Sequence, residues 1–143
     1  MKRYFLLVLT IAGMMSCKSS GVDKKEEGIK YKETVTLNDV PKASLTFYGL
    51  ADSRCPENVQ CVWAGNATVD LLLSGVTTEG GVNEHVKMCL GQCDQKFKEA
   101  DTLDRKFAGE DYRLILTAVK PYPKVDSTRK IEDTYILLKI EKK

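Results

Sequence analysis

Ala67-Thr68-Val69-Asp70-Leu71-Leu72-Leu73-Ser74 is the segment from which the fold is read. Ala67, Val69, Leu71 and Leu73 share one parity, while Thr68, Asp70, Leu72 and Ser74 share the other. A period of two puts the first set on one face of a β-strand and the second on the opposite face. One face is wholly apolar and suits a core; the other carries mostly small polar and acidic groups and suits water. A helix would scatter the same residues around its axis.

Segments on either side repeat the pattern. Upstream, Leu45 and Phe47 alternate with Ser44, Thr46 and Tyr48. Before them Tyr31, Glu33, Val35 and Leu37 lie on one parity, and Asn38-Asp39-Val40-Pro41 punctuates the chain. Downstream, Thr77 to Gly81 reads as a turn and Val82 to Leu90 as a partner strand. Gly91-Gln92 reads as a turn tip between Cys89 and Cys93. Phe97 to Gly109 has no clear apolar face and reads as loop with at most one helical turn. Tyr112, Leu114, Leu116 and Ala118 alternate with Arg113, Ile115 and Thr117 until Pro121-Tyr122-Pro123 ends the run. Lys124 to Asp133 is a polar connection, and Tyr135 to Ile140 is apolar on both parities, as a central strand would be. Six to seven short strands without a convincing helix predict an all-β fold. Two antiparallel sheets packed as a sandwich, immunoglobulin-like in form, bury such strands; a small barrel is the alternative.

Between the second strand and the opening segment lies Asp52-Ser-Arg-Cys-Pro-Glu-Asn-Val-Gln-Cys-Val-Trp-Ala-Gly65, with two of the five cysteines and the single tryptophan. Pro56 fixes its own φ and pushes Cys55 toward extended backbone. Trp63, beside a disulfide, is expected to plug the core. Gly65 allows a bend before the next strand. Asp52 can accept backbone N–H bonds at the turn and Arg54 can pair with it. With Trp63 they form the candidate binding loop: Asp52, Arg54, Trp63.

Asp52-Ser-Arg-Cys-Pro, four residues, and then Cys61-Val-Trp-Ala-Gly resembles the signature of an uncharacterised family of bacterial secreted proteins and lipoproteins. Pro121-Tyr122-Pro123 and the closing strand from Thr134 to Ile140 match further elements of that family, so the resemblance spans residues 44 to 143. It implies a fold and an exported compartment, and no reaction. It assigns no role to Cys89 and Cys93.

The N-terminus carries the second resemblance. Lys2 and Arg3 precede a nearly unbroken apolar run, Tyr4 to Met15, too short to span a bilayer, and Ser16 precedes Cys17. This resembles a bacterial lipoprotein signal, although Met14-Met15 stands where leucine and a small residue are usual. The expected organisation is a signal peptide over 1–16, a polar tether over 17–28 beginning at lipidated Cys17, and one β domain over 29–143. The chain would then sit in the cell envelope at the outer membrane, held by its N-terminal lipid. Ordinary secretion, with Cys17 removed or free, is the competing reading.

Of five cysteines, lipidation of Cys17 leaves Cys55, Cys61, Cys89 and Cys93 to pair. Spacings of five and three intervening residues do not match zinc knuckles, and exported cysteines meet an oxidising compartment. Two local bridges, Cys55–Cys61 and Cys89–Cys93, are the first choice; crossed pairings would close longer loops. No metal ligand set and no cofactor motif is expected. His85, the only histidine, lies among charged neighbours and reads as a solvent-facing structural residue. Without a nucleophile motif, no catalytic residue is assigned.

A length of 143 residues suits one domain with a self-sufficient core. Lys and Arg number 22 against 20 Asp and Glu. Removal of Lys2 and Arg3 with the signal balances them, which disfavours nucleic acid as a partner. The expected function is non-catalytic: a binding or structural module of the envelope, with a protein or glycan partner. An inhibitor of an exported hydrolase (protease or lysozyme), using the Cys55–Cys61 loop, is the alternative.

Overall fold

The computed structural model describes residues 28–126 and 128–143. The signal, Cys17 and the tether up to residue 27 lie outside the described residues. Nine strands follow in chain order: β1 Ile29–Lys30, β2 Thr34–Asn38, β3 Ala43–Asp52, β4 Asn66–Thr77, β5 Gly80–Cys93, β6 Lys96–Lys98, β7 Asp101–Phe107, β8 Glu110–Lys120 and β9 Tyr135–Lys142. A single 3-10 turn, Ile131–Asp133, precedes β9. The strands form two antiparallel sheets, ordered β1-β9-β8-β7 and β2-β3-β4-β5-β6.

The result is the all-β sandwich that the alternating pattern predicts. Its connectivity differs from the Greek key of immunoglobulin domains. Each sheet is built from sequence neighbours, with β1 added beside β9. The segment read as one strand, Tyr31 to Leu37, is interrupted. Lys32 takes a φ of 63° between β1 and β2, and the chain passes there from one sheet to the other. One edge of the sandwich is thereby bridged by the chain, as in a barrel.

The inward sets of β3, β4, β8 and β9 make the core. Leu45 and Phe47 meet Val69, Leu71 and Leu73 within one sheet, and Leu114, Leu116, Ile136 and Ile140 face them from the other; all are buried. Each such side chain contributes roughly 1.5–3 kcal/mol of transfer free energy. β9 is flanked on both sides, by β1 and β8. Its side chains nonetheless alternate between buried and open positions, so only one face is covered.

Two expectations are corrected. Phe97 to Gly109 is neither loop nor helix: it contains most of β6 and all of β7. β7 is an edge strand whose Asp104, Arg105 and Lys106 point to solvent, and only Phe107 is buried. Charges on an edge strand discourage pairing with other chains, and they also erase the apolar alternation. Gly91-Gln92 is not a hairpin tip but lies within β5, paired to Asn66 on one side and to Lys98 and Phe97 on the other.

Candidate functional site

The two ends of the sandwich differ. One end carries the short turns after β2, β4 and β7. The other gathers the long loop from Ser53 to Gly65, the end of β5 with β6, and the Pro121–Lys130 connection. The chain also enters here, since Lys30 pairs with Tyr135, which pairs with Lys120.

Asp52 and Arg54 organise this loop-bearing end. Asp52 is the last residue of β3, not a loop residue. Arg54 Nε donates to Asp52 Oδ1 at 2.9 Å and Nη2 donates to Oδ2 at 2.7 Å, a two-pronged pair. Arg54 Nη1 donates to the carbonyl of Val119 at 2.9 Å, which ties β3 to β8 in the opposite sheet. The guanidinium lies 4.5 Å from the centroid of the Tyr122 ring. Arg129 donates from Nη2 to Asp52 Oδ2 and from Nη1 to the carbonyl of Pro121, both at 2.8 Å. The side chains of Asp52 and Arg54 are only 6% and 8% exposed, so the pair is an internal clamp. Burial alone would push the Asp52 carboxyl up; the hydrogen bonds from Arg54 and Arg129 outweigh it and hold the group below its ordinary value.

The loop itself is fastened along its length. Ser53 N–H donates to Asn66 O, Cys55 N–H to Ala64 O, and Glu57 N–H to Pro123 O, at 2.7, 2.8 and 2.9 Å. Cys55 and Cys61 form a disulfide, as do Cys89 and Cys93, which are the two local pairings. The second bridge spans one strand. Four residues of straight strand would separate Cα atoms by about 13 Å, but Cys89 and Cys93 are 6.1 Å apart. β5 therefore bends sharply at Gly91, where φ is +93°. A Cβ on Gly91 would fall 2.6 Å from the carbonyl oxygen of Gly65, and one on Gly65, at φ +70°, would overlap that of Ser53. Both positions need glycine for conformation and for room. They allow Gly65 O to accept from Gln92 N–H at 2.8 Å.

Trp63 does not plug the core. It is 65% exposed, and Val62 beside it is fully exposed. Phe47, Leu45 and Leu71 fill the interior instead. The loop turns outward because its backbone bonds and the Asp52–Arg54 clamp already close that end. Within the candidate binding loop the structure thus separates two buried structural residues, Asp52 and Arg54, from one displayed residue, Trp63.

Beside the clamp a cleft of about 390 Å³ opens between the sheets. Leu90 and Gly91 of β5, Phe97 of β6 and Thr117 to Lys120 of β8 line it, with Tyr122 at its rim. Its walls are largely apolar, as small-molecule and peptide clefts are. Sequence reading missed this cleft because part of its wall comes from β6 and from the bend in β5. His85 lies elsewhere, on the outer face of the five-stranded sheet, with Nδ1 3.0 Å from Asp70 Oδ1 and its ring edge-on to Tyr48.

No family model, curated protein or solved structure matches this chain.

Proposed function

We propose that the protein is a lipid-anchored binding module of the bacterial envelope, whose recognition surface is the loop-bearing end of the sandwich. One observation carries this reading: large apolar side chains, Val62 and Trp63 foremost, are displayed in water from a loop that the Asp52–Arg54–Arg129 clamp and a disulfide hold in place. Exposed apolar groups on an ordered scaffold mark contact surfaces, since ordering them beforehand lowers the cost of binding. The cleft beside them widens the same surface. The signal-like N-terminus, Cys17 and the two disulfides support this compartment. The likeness of Asp52 to Gly65 to a signature of exported lipoproteins supports it too.

Photo-crosslinking in the native envelope tests the reading. A photoreactive residue at Val62 should give adducts, and one at Val76, exposed at the opposite end, should not. Adducts formed from position 76 alone would reject the assignment.

The same displayed loop favours a second reading, an inhibitor that wedges the Cys55–Cys61 loop into an exported hydrolase. An inhibition panel separates the two. Inhibition that disappears when residues 56 to 59 are replaced supports the wedge; inhibition that survives the replacement removes it.

A further inference from the structure

Exposed large apolar residues are distributed unevenly over this molecule. Val59, Val62, Trp63, Phe97, Tyr122 and Val125 are all exposed and all belong to the loop-bearing end. Among the described residues, the others of this class are Val40, Tyr48 and Val76, with Ile131 and Tyr135 near the start of β9. The Glu57–Lys124 bridge lays the Cys55–Cys61 loop beside the segment holding Tyr122 and Val125, so these side chains rise from neighbouring stretches of chain.

The chain enters the domain at this same end. Gly28 packs against the Tyr135 ring, and Tyr135 pairs with Lys120 at the cleft. Cys17 lies eleven residues before Gly28, so a lipid on it is covalently confined to within about 40 Å of this end. An anchor so placed holds the nearest surface against the bilayer at an effective concentration of about millimolar. Contacts too weak to act between free partners then suffice.

We infer that the occupant of the loop-bearing end is the bilayer surface itself, with Val62 and Trp63 entering the headgroup region. Tryptophan and tyrosine suit that zone, where one part of the ring meets hydrocarbon and another meets water. Acidic and basic residues are interspersed at this end, where Lys124 pairs with Glu57 and Lys98 with Asp101. They form no basic face for anionic lipid. Insertion therefore rests on apolar contact and is insensitive to salt. This inference deepens the lipid-anchor reading and depends on it for the tethering distance.

Trp63 is the only tryptophan, so its fluorescence reports on this end alone. The full-length product is purified from membranes and its mass read for acylation at Cys17. It is then reconstituted into phosphatidylethanolamine–phosphatidylglycerol vesicles with and without brominated lipid, and compared with the Cys17→Ser chain in buffer. Expected are a blue-shifted Trp63 emission, quenching by brominated lipid, and several-fold less quenching by aqueous acrylamide than in buffer, unchanged at high salt. Val62→Asp, a substitution at a fully exposed site, should reverse all three while the anchor stays in the vesicle. An acylated protein whose Trp63 is as open to acrylamide as in buffer would overturn the inference and leave the anchor standing. Protection of Trp63 only after an envelope protein is added would overturn it in favour of a protein partner. A chain without acylation would remove the anchor reading; Trp63 of that chain at saturating vesicle concentration then decides insertion by the same criteria.

Discussion

Arg54 satisfies Asp52, the Val119 carbonyl and the face of Tyr122 at once. Removing one partner from a buried ion pair leaves an unmatched charge, which costs about 3 kcal/mol or more. Asp52→Asn should therefore lower stability by about that amount at pH 7 in denaturant titrations. The acid limb gives the sharper test. The folded-state pKa of Asp52 is depressed. Its stabilisation is thus fully present above the unfolded value of about 3.9 and is lost as pH falls toward the folded value. Wild type should lose more stability than Asp52→Asn between pH 5 and about pH 2, so that the two curves converge in acid. Asp104 is also held low, by Arg113 and Lys143, and Glu141 by Lys139. Both groups lie in solvent and cancel in the comparison. Parallel curves would mean that Asp52 is not clamped in the folded state.

At the scale of the element, the two disulfides do different work. Cys55–Cys61 closes a surface loop; Cys89–Cys93 holds a bend inside β5. The loop-closure model gives about 2 kcal/mol for each, because both loops are short. Replacing either pair by alanine should cost that much by thermal denaturation. Only loss of Cys89–Cys93 should also change amide exchange at Gln92 and along β6, which pairs with the bent segment. An equal, purely global loss in both variants would contradict the local role. Which elements the sequence discloses follows from burial. β3, β4 and β8 are legible since their inward residues are all apolar and their outward ones mostly polar. β7 is hidden by its edge position and its charges. The break at Lys32 is hidden because Tyr31 and Glu33 continue the parity of Val35. The Asp52–Arg54 pairing is local and was readable; Arg129, 77 residues from Asp52, carries no signal near the motif. Trp63 misleads, since size and a nearby disulfide suggest a plug where the loop turns outward.

The whole molecule joins a conventional two-sheet core to one specialised end. Backbone hydrogen bonds from Ser53, Cys55 and Glu57 fasten the loop, Gln92 N–H fastens its base, and an internal ion cluster ties both sheets beneath it. Ordered backbone under exposed apolar side chains is the physical basis of both functional proposals. Hydrogen exchange of the intact chain at neutral pH, followed by mass spectrometry, tests it directly. The amides of Ser53, Cys55, Glu57 and Gln92 are predicted to exchange slowly while Val62 and Trp63 exchange fast, and Arg54→Ala should release the slow set. Exchange at unprotected rates from Ser53 through Gly65 in the wild-type protein would contradict the account.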